Sequence, residues 1–246
     1  MDKLTREEFE AIQKEREEYV KNIGIEYRYG CYEEKRPDSC HFLAEWQESI
    51  KQDLEKAYDL FKSNCLNSKY GRSCYKYGNY RIAGVFEKPD SLADLISPFK
   101  IACDSGIGPG CRMVGLIYWN GDEQRKADSK KAVQYLEKAC GQEDTISCMH
   151  LSNWFRASEE ERKRELSKNQ DTYQGTIPKN ASKALEYAVK ACDLGDSGGC
   201  FHVSLMYKGK DGFPKDDVKK KEYFQKANEI VKMKTAQNAN AGFTGQ

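Results

Sequence analysis

Ten cysteines dominate what this sequence could do chemically: Cys31/Cys40, Cys65/Cys74, Cys103/Cys111, Cys140/Cys148 and Cys192/Cys200. Every pair is eight or nine positions apart, and no Cys-x-x-Cys occurs, so neither a zinc ribbon nor a thioredoxin-type redox motif is on offer. If an antiparallel turn separates the two members of a pair, their Cα atoms can come within the ~4.4–6.8 Å that a disulfide requires. The rival state is reduced thiols, each filling a small apolar site at the turn. Zinc fits worse, because three histidines, His41, His150 and His202, cannot serve five sites. The three histidines stand alone in the sequence, so no catalytic residue is assigned. Ser73-to-Lys76 and Ser97-to-Lys100 match Ser-x-x-Lys, but a motif that short arises by chance at this composition, and its partners Ser-Asp-Asn and Lys-Thr-Gly are absent. No Walker or Gly-x-Gly-x-x-Gly pattern is present.

The elements that must hold the cysteines follow from their spacing. Successive pairs begin 34, 38, 37 and 52 residues apart, the period of a solenoid built from helix pairs. A segment with apolar residues at helical spacing precedes each first cysteine, as in DLEKAYDLFKSNC and KNASKALEYAVKAC. A short polar turn leads to the second cysteine, which opens a second helix such as CRMVGLIYWNG. Four residues beyond the second cysteine stand Ala44, Gly78, Gly115, Ser152 and Ser204, small every time, which lets two helix backbones approach closely. Tyr118, Phe155 and Tyr207 add an aromatic at the next turn, where Gln47 and Arg81 depart. The predicted fold is therefore all-α, a right-handed α-solenoid of helix hairpins each pinned by an intra-repeat disulfide. Residues 1–234 are expected to form a single array, with hairpins at about 5–50, 51–84, 89–121, 126–158 and 179–210 and a capping helix at 215–234. The first helix opens on a capping box at Thr5 and Glu8. Residues 156–178 read as an inserted charged loop and 235–246 as a disordered tail.

Composition bounds the function. Forty Lys plus Arg against 39 Asp plus Glu leave a formal charge of +1, which lacks the footprint of a general nucleic-acid or acidic-membrane binder. Leu, Ile, Val and Phe total 44 of 246 residues, thin for one large core, so the bridges would offset a shortage of apolar burial. The first twenty residues hold no apolar run and seven acidic residues, unlike a secretory signal or a matrix-type presequence. No stretch approaches a membrane span, the best apolar run being Met113 to Trp119. The sequon Asn180-Ala-Ser182 has meaning only in the secretory route.

The pattern A-C-x-x-G followed by C-x-x-x-G-x-x-Y-x-x-G resembles the Sel-1-like repeat family, a relative of the tetratricopeptide repeat. Cysteines replace the usual alanines, as in the Helicobacter cysteine-rich (hcp β-lactamase) proteins. YGCYEEKRPDSC, SCYKYGNYRIAG, YAVKACDLG and GFPKD are similar to a branch of animal mitochondrial proteins that assemble the respiratory chain. The resemblance resolves a conflict, since disulfides need an oxidising compartment while no export signal is visible. It implies a place in the mitochondrial intermembrane space, reached through the oxidative import machinery that traps cysteine-bearing chains. It also implies a role in assembling respiratory complexes, chiefly cytochrome c oxidase, as a monomeric scaffold holding client proteins on its concave surface. Haem binding and thiol–disulfide work on copper-delivery proteins are implied as well, giving the alternative of a haem-binding thiol–disulfide reductase. A reduced adaptor in cytosol or endoplasmic reticulum is the third reading.

At residue level an axial haem pair would come from His150 with Met149, or from His202 with Met206. The competing reading is that all four pack a helix face, because His202 and Met206 lie one turn apart on the same side and cannot sit on opposite faces of one haem. If any cysteine pair cycles, Cys31/Cys40 and Cys65/Cys74, with the longer loops, are the first candidates.

Overall fold

In the computed structural model residues 5–121, 126–157, 177–210 and 212–243 are described, with side chains through 237. The expected 156–178 insertion falls almost wholly outside these residues. Eleven α-helices are seen among them: α1 (Arg6–Tyr32), α2 (Pro37–Ser49), α3 (Leu54–Ser68), α4 (Gly71–Ala83), α5 (Ile96–Asp104), α6 (Gly108–Asn120), α7 (Ser129–Gly141), α8 (Thr145–Arg156), α9 (Ala181–Asp193), α10 (Ser197–Met206) and α11 (Asp217–Phe243). A 3₁₀ turn, Leu92–Leu95, leads into α5. The only β feature among the described residues is an isolated bridge between Lys208 and Lys215.

Local chemistry sets the helix starts. Thr5 forms the expected capping box with Glu8. Asp53, Asp128, Asp144, Asn180 and Asp196 each accept a backbone N–H at the first turn of their helices. Helix α2 instead starts on Pro37, whose missing N–H costs nothing at a first helical position. The helices overrun the cysteines that were expected to bound them: α1, α3, α5, α7 and α9 end one to three residues past the first cysteine of each pair. The second cysteine is in every case the fourth residue of the following helix, so the small residue four positions later shares its face.

Backbone contacts gather into two compact units, Met1–Asp90 with Ser97–Ser105, and Ser91–Ile96 with Gly106–Gln246. The division follows packing between successive hairpins. In the first unit Phe99 of α5 is fully buried and meets Tyr75 edge-on at 6.0 Å. Gly78 of α4 admits it, since a Cβ there would lie 2.6 Å from the Phe99 ring. His41, Tyr58, Phe61 and Tyr77 fill the rest of this unit's core together with Leu43.

In the second unit one packing unit recurs three times. Tyr118, Phe155 and Tyr207 stack on Tyr135, Tyr187 and Tyr223 of the following helix at 5.7, 5.9 and 6.1 Å. Lys131, Lys183 and Lys219 bring an ammonium to within 5.2, 5.1 and 5.4 Å of the Tyr118, Phe155 and Tyr207 rings. The aromatic read from the sequence is thus one half of an inter-hairpin stack. Below it the small residues close the backbones: Ser152 Oγ donates to Ala184 O at 2.8 Å, and a Cβ on Gly115 would stand 3.1 Å from Ala132 O. Helix α11 passes the end expected for the cap at 234 and continues through Phe243, into the stretch expected to be a disordered tail.

Candidate functional site

The cysteines carry the first candidate site. Cys31–Cys40, Cys65–Cys74, Cys140–Cys148 and Cys192–Cys200 are disulfides with Cα atoms 4.5, 4.6, 4.9 and 4.5 Å apart. Cys103 and Cys111 are disulfide-bonded as well, and no cysteine is free. The spacing works because the first cysteine lies in the last turn of one helix and the second in the first turn of the next, on facing sides of a tight turn. Nine of the ten are buried; Cys40 alone is half-buried. Exchange needs a line of attack on sulfur, and burial denies it at Cys65/Cys74 while leaving Cys31/Cys40 the most approachable pair.

The histidines occupy three different settings. His202 and Met206 of α10 line one cavity of about 110 Å³ with Arg156, Lys210 and Phe213. Burial, then the Arg156 guanidinium, hold the His202 imidazole below its ordinary pKa. Met149 packs against the core, and the adjacent His150 ring lies 6.2 Å from Trp154. Burial and Arg112 lower its pKa likewise. These residues do not fit a haem. Sites for organic ligands of that size run to roughly 300 Å³ or more, well above the His202 cavity. His202 and Met206 project from one face of one helix, and Met149 and His150 diverge by about 100° around theirs. Neither pair can bind an iron from opposite sides. Among the described residues no three His, Cys, Asp or Glu side chains gather into a metal site.

His41 does not stand alone, contrary to the sequence reading. Its Nδ1 lies 3.1 Å from Ser73 Oγ and its Nε2 lies 3.4 Å from Glu45 Oε1. Asn64 Nδ2 donates to Ser73 Oγ at 2.8 Å and to Pro37 O at 2.8 Å. The Ser73 hydroxyl accepts from Asn64 and pairs with His41 Nδ1, while His41 Nε2 faces Glu45. Burial, outweighing Glu45, keeps the His41 pKa low. A serine, a histidine and a carboxylate in a row suggest acyl transfer, but Ser73 is 0% exposed and His41 3%. No substrate reaches them, so the cluster ties α2, α3 and α4 together. Lys76 of the discarded Ser-x-x-Lys motif is engaged elsewhere, donating to Glu48 at 2.6 Å. The sequence signal for this cluster is the residue before each second cysteine: Ser39, Ser73, Gly110, Ser147 and Gly199 are all small and buried. Ser147 serves a parallel cluster in which Asp144, 8% exposed, accepts from Arg112 Nε at 2.9 Å and from the Ser147 backbone at 3.0 Å.

The remaining feature is a groove of about 500 Å³ between α10 and α11, where Phe201, Leu205 and Phe224 lie beside Lys208, Lys220 and Lys221. No sequence pattern announced it.

The Sel1 repeat family model matches residues 37–63, 108–144, 172–196 and 198–229. Three of these matches begin at the second helix of a hairpin and run into the helix that follows. Cytochrome c oxidase assembly factor 7 of Xenopus tropicalis is 34% identical over 237 residues, covering 94% of this chain and 95% of its own. The Drosophila melanogaster cytochrome c oxidase assembly factor 7 homolog is 29% identical, covering 92% of each. A Sel1 repeat protein from Oxalobacter formigenes is similar in structure, with a TM-score of 0.62 at 16% identity over 87% of this chain and 83% of its own, a likeness of fold alone. An identity of 34% sustained across nearly the full length of both chains, on a framework of Sel1 repeats, places this chain in the cytochrome c oxidase assembly factor 7 family.

Proposed function

We propose that this protein assists the assembly of cytochrome c oxidase as a disulfide-stabilised binding scaffold in the mitochondrial intermembrane space. The observation that carries the reading is the state of the cysteines: none of the ten is free, in a chain whose relatives are named for oxidase assembly. Such bridges persist where the glutathione and thioredoxin systems do not keep thiols reduced. Entry through the oxidative import machinery of that space would form them and retain the chain. That state argues against a reduced adaptor in the cytosol. A scaffold rather than an enzyme is supported by the burial of Ser73 and His41 and of Asp144 and Ser147, which no substrate reaches. Its clients are proteins of oxidase assembly, copper-delivery proteins among them, held by a monomer. No helix among the described residues is long and apolar enough to cross a membrane.

A second reading, thiol–disulfide reduction of copper-delivery proteins, has one observation in its favour, the half-buried Cys40. Thiol trapping with mass spectrometry on the endogenous protein tests the first reading. Full oxidation in the mitochondrial fraction, together with loss of assembled oxidase on native gels when the chain is removed, is the expected result. Ten free thiols in the cytosol, or unchanged oxidase after removal, overturns it.

A further inference from the structure

The groove between α10 and α11 exists because the last joint breaks a pattern kept at three of the four earlier ones. At those three the following helix presents a small residue eight positions before its cysteine, Ala57, Ala132 or Ala184, and an apolar one four positions before it, Phe61, Leu136 or Ala188; all six are fully buried. The joint into α5 carries Leu95 at the first of the two positions. Asn228 takes the cysteine position in α11, so Lys220 falls where the alanine belongs and Phe224 where the buried apolar residue belongs. A lysine cannot enter that contact. Helix α11 keeps the Tyr223 stack on Tyr207 and docks through Ala227 and Ile230 on the Cys192–Cys200 bridge, with Lys226 bound to Asp193 at 2.8 Å. Phe224 is left 46% exposed, and beside it Phe201 is 42% and Leu205 38% exposed. The small Ser204, itself buried, lines the same groove.

The charges have a consistent sign. Lys208 follows α10 while Lys220 and Lys221 stand on α11, so cations come from both walls of an apolar floor. None of the three ammonium groups is paired with a carboxylate among the described residues; the one carboxylate in the groove, Asp217, faces Lys215 at 3.7 Å.

We propose that this groove docks an acidic amphipathic helix of a client protein. Apolar side chains at i, i+3 and i+4 would rest on Phe201, Leu205 and Phe224, and flanking Asp or Glu residues would pair with Lys208, Lys220 and Lys221. A single-headed amphiphile such as a fatty acid would neutralise one cation and strand two. The proposal rests on the scaffold reading and names the surface that reading leaves open.

The test uses the full chain and a fluorescein-labelled synthetic helix of about 18 residues, five turns, with Leu and Phe on one face and Glu on both flanks. Saturable binding by anisotropy is expected. Weakening by about tenfold is expected with Lys in place of Glu, and again for the K208E/K220E/K221E protein, as for the loss of three exposed ion pairs. Phe224→Ser should weaken the probe at an unchanged melting temperature, since that ring is already exposed. Absence of binding, equal binding of the Glu and Lys probes, or indifference to the triple reversal overturns the proposal. So does a groove-dependent affinity for phosphatidylserine vesicles, or for a second copy of the chain, that the Glu probe does not compete. In cells lacking the chain, full rescue of oxidase by the triple variant would reject the groove and leave the scaffold standing. An oxidase level indifferent to the chain itself would reject the scaffold.

Discussion

Ser152 Oγ donates a 2.8 Å hydrogen bond to the backbone carbonyl of Ala184, from the second helix of one hairpin into the first helix of the next. A side chain can reach a neighbouring helix's backbone only where the two axes come close, and the same position is Gly78 and Gly115 in other hairpins. Both glycines would set a Cβ 3.0 Å or less from a packed side chain. Gly78→Ala should therefore destabilise by about 1–3 kcal/mol through overpacking against Phe99, and Ser152→Ala by about 1 kcal/mol through the lost bond. Urea denaturation would check the order, with Ser152→Val worse than Ser152→Ala.

Reduction should proceed in a set sequence. Cys40 is the least buried of the cysteines, so Cys31–Cys40 is expected to open first under mild reductant, with Cys65–Cys74 and Cys192–Cys200 resisting until the chain unfolds. Time-resolved alkylation with peptide mapping reads this directly. Each bridge closes a loop of eight or nine positions, and replacing a buried pair by alanines should cost about 2.5 kcal/mol.

Acidification should weaken the fold in two separate windows. Burial holds His41, His150 and His202 below the ordinary 6.5, so the unfolded chain takes up protons that the folded chain does not. Their contribution is fully present above pH 6.5 and is lost as pH falls from there through the folded values. Asp38, Asp53 and Asp128, lowered from 3.8, add a second loss below that value. Urea midpoints should fall between about pH 7.5 and pH 5.5, and the double change His150→Gln with His202→Gln should flatten that slope.

Asp144 should be worth more than the other helix caps. It is 8% exposed and serves Arg112 as well as Ser147, so Asp144→Ala leaves a largely buried cation unpaired and should cost about 3 kcal/mol. Asp53→Ala removes a cap from a surface helix start and should cost about 1 kcal/mol. Paired denaturation curves would separate the two.

Haem, if added, should gain nothing from His202. The cavity it shares with Met206 is about 110 Å³, so His202→Ala is expected to leave any haem absorption spectrum unchanged. A lost six-coordinate spectrum in that variant would show the cavity opens far enough to hold the ring.

Much of this molecule is readable from local spacing. The interval between cysteines reports the turn of each hairpin, because a disulfide across a tight helix–helix turn admits few loop lengths. The small residue one turn beyond reports the closest approach of helices, because no Cβ fits between Gly78 and Phe99. What the sequence left out depends on register between elements. His41 and Ser73 are 32 positions apart, and only the packing of α2 on α3 and α3 on α4 turns two scattered polar residues into one buried cluster. The groove is of the same kind. Lys220 is a solvated lysine until the joint is built, and only then does its place at an alanine position show why Phe224 and Phe201 are left exposed beside it. Periodic contacts lie a few residues apart and repeat, so composition and spacing encode them. Contacts made once, between distant segments, are fixed by the tertiary structure alone.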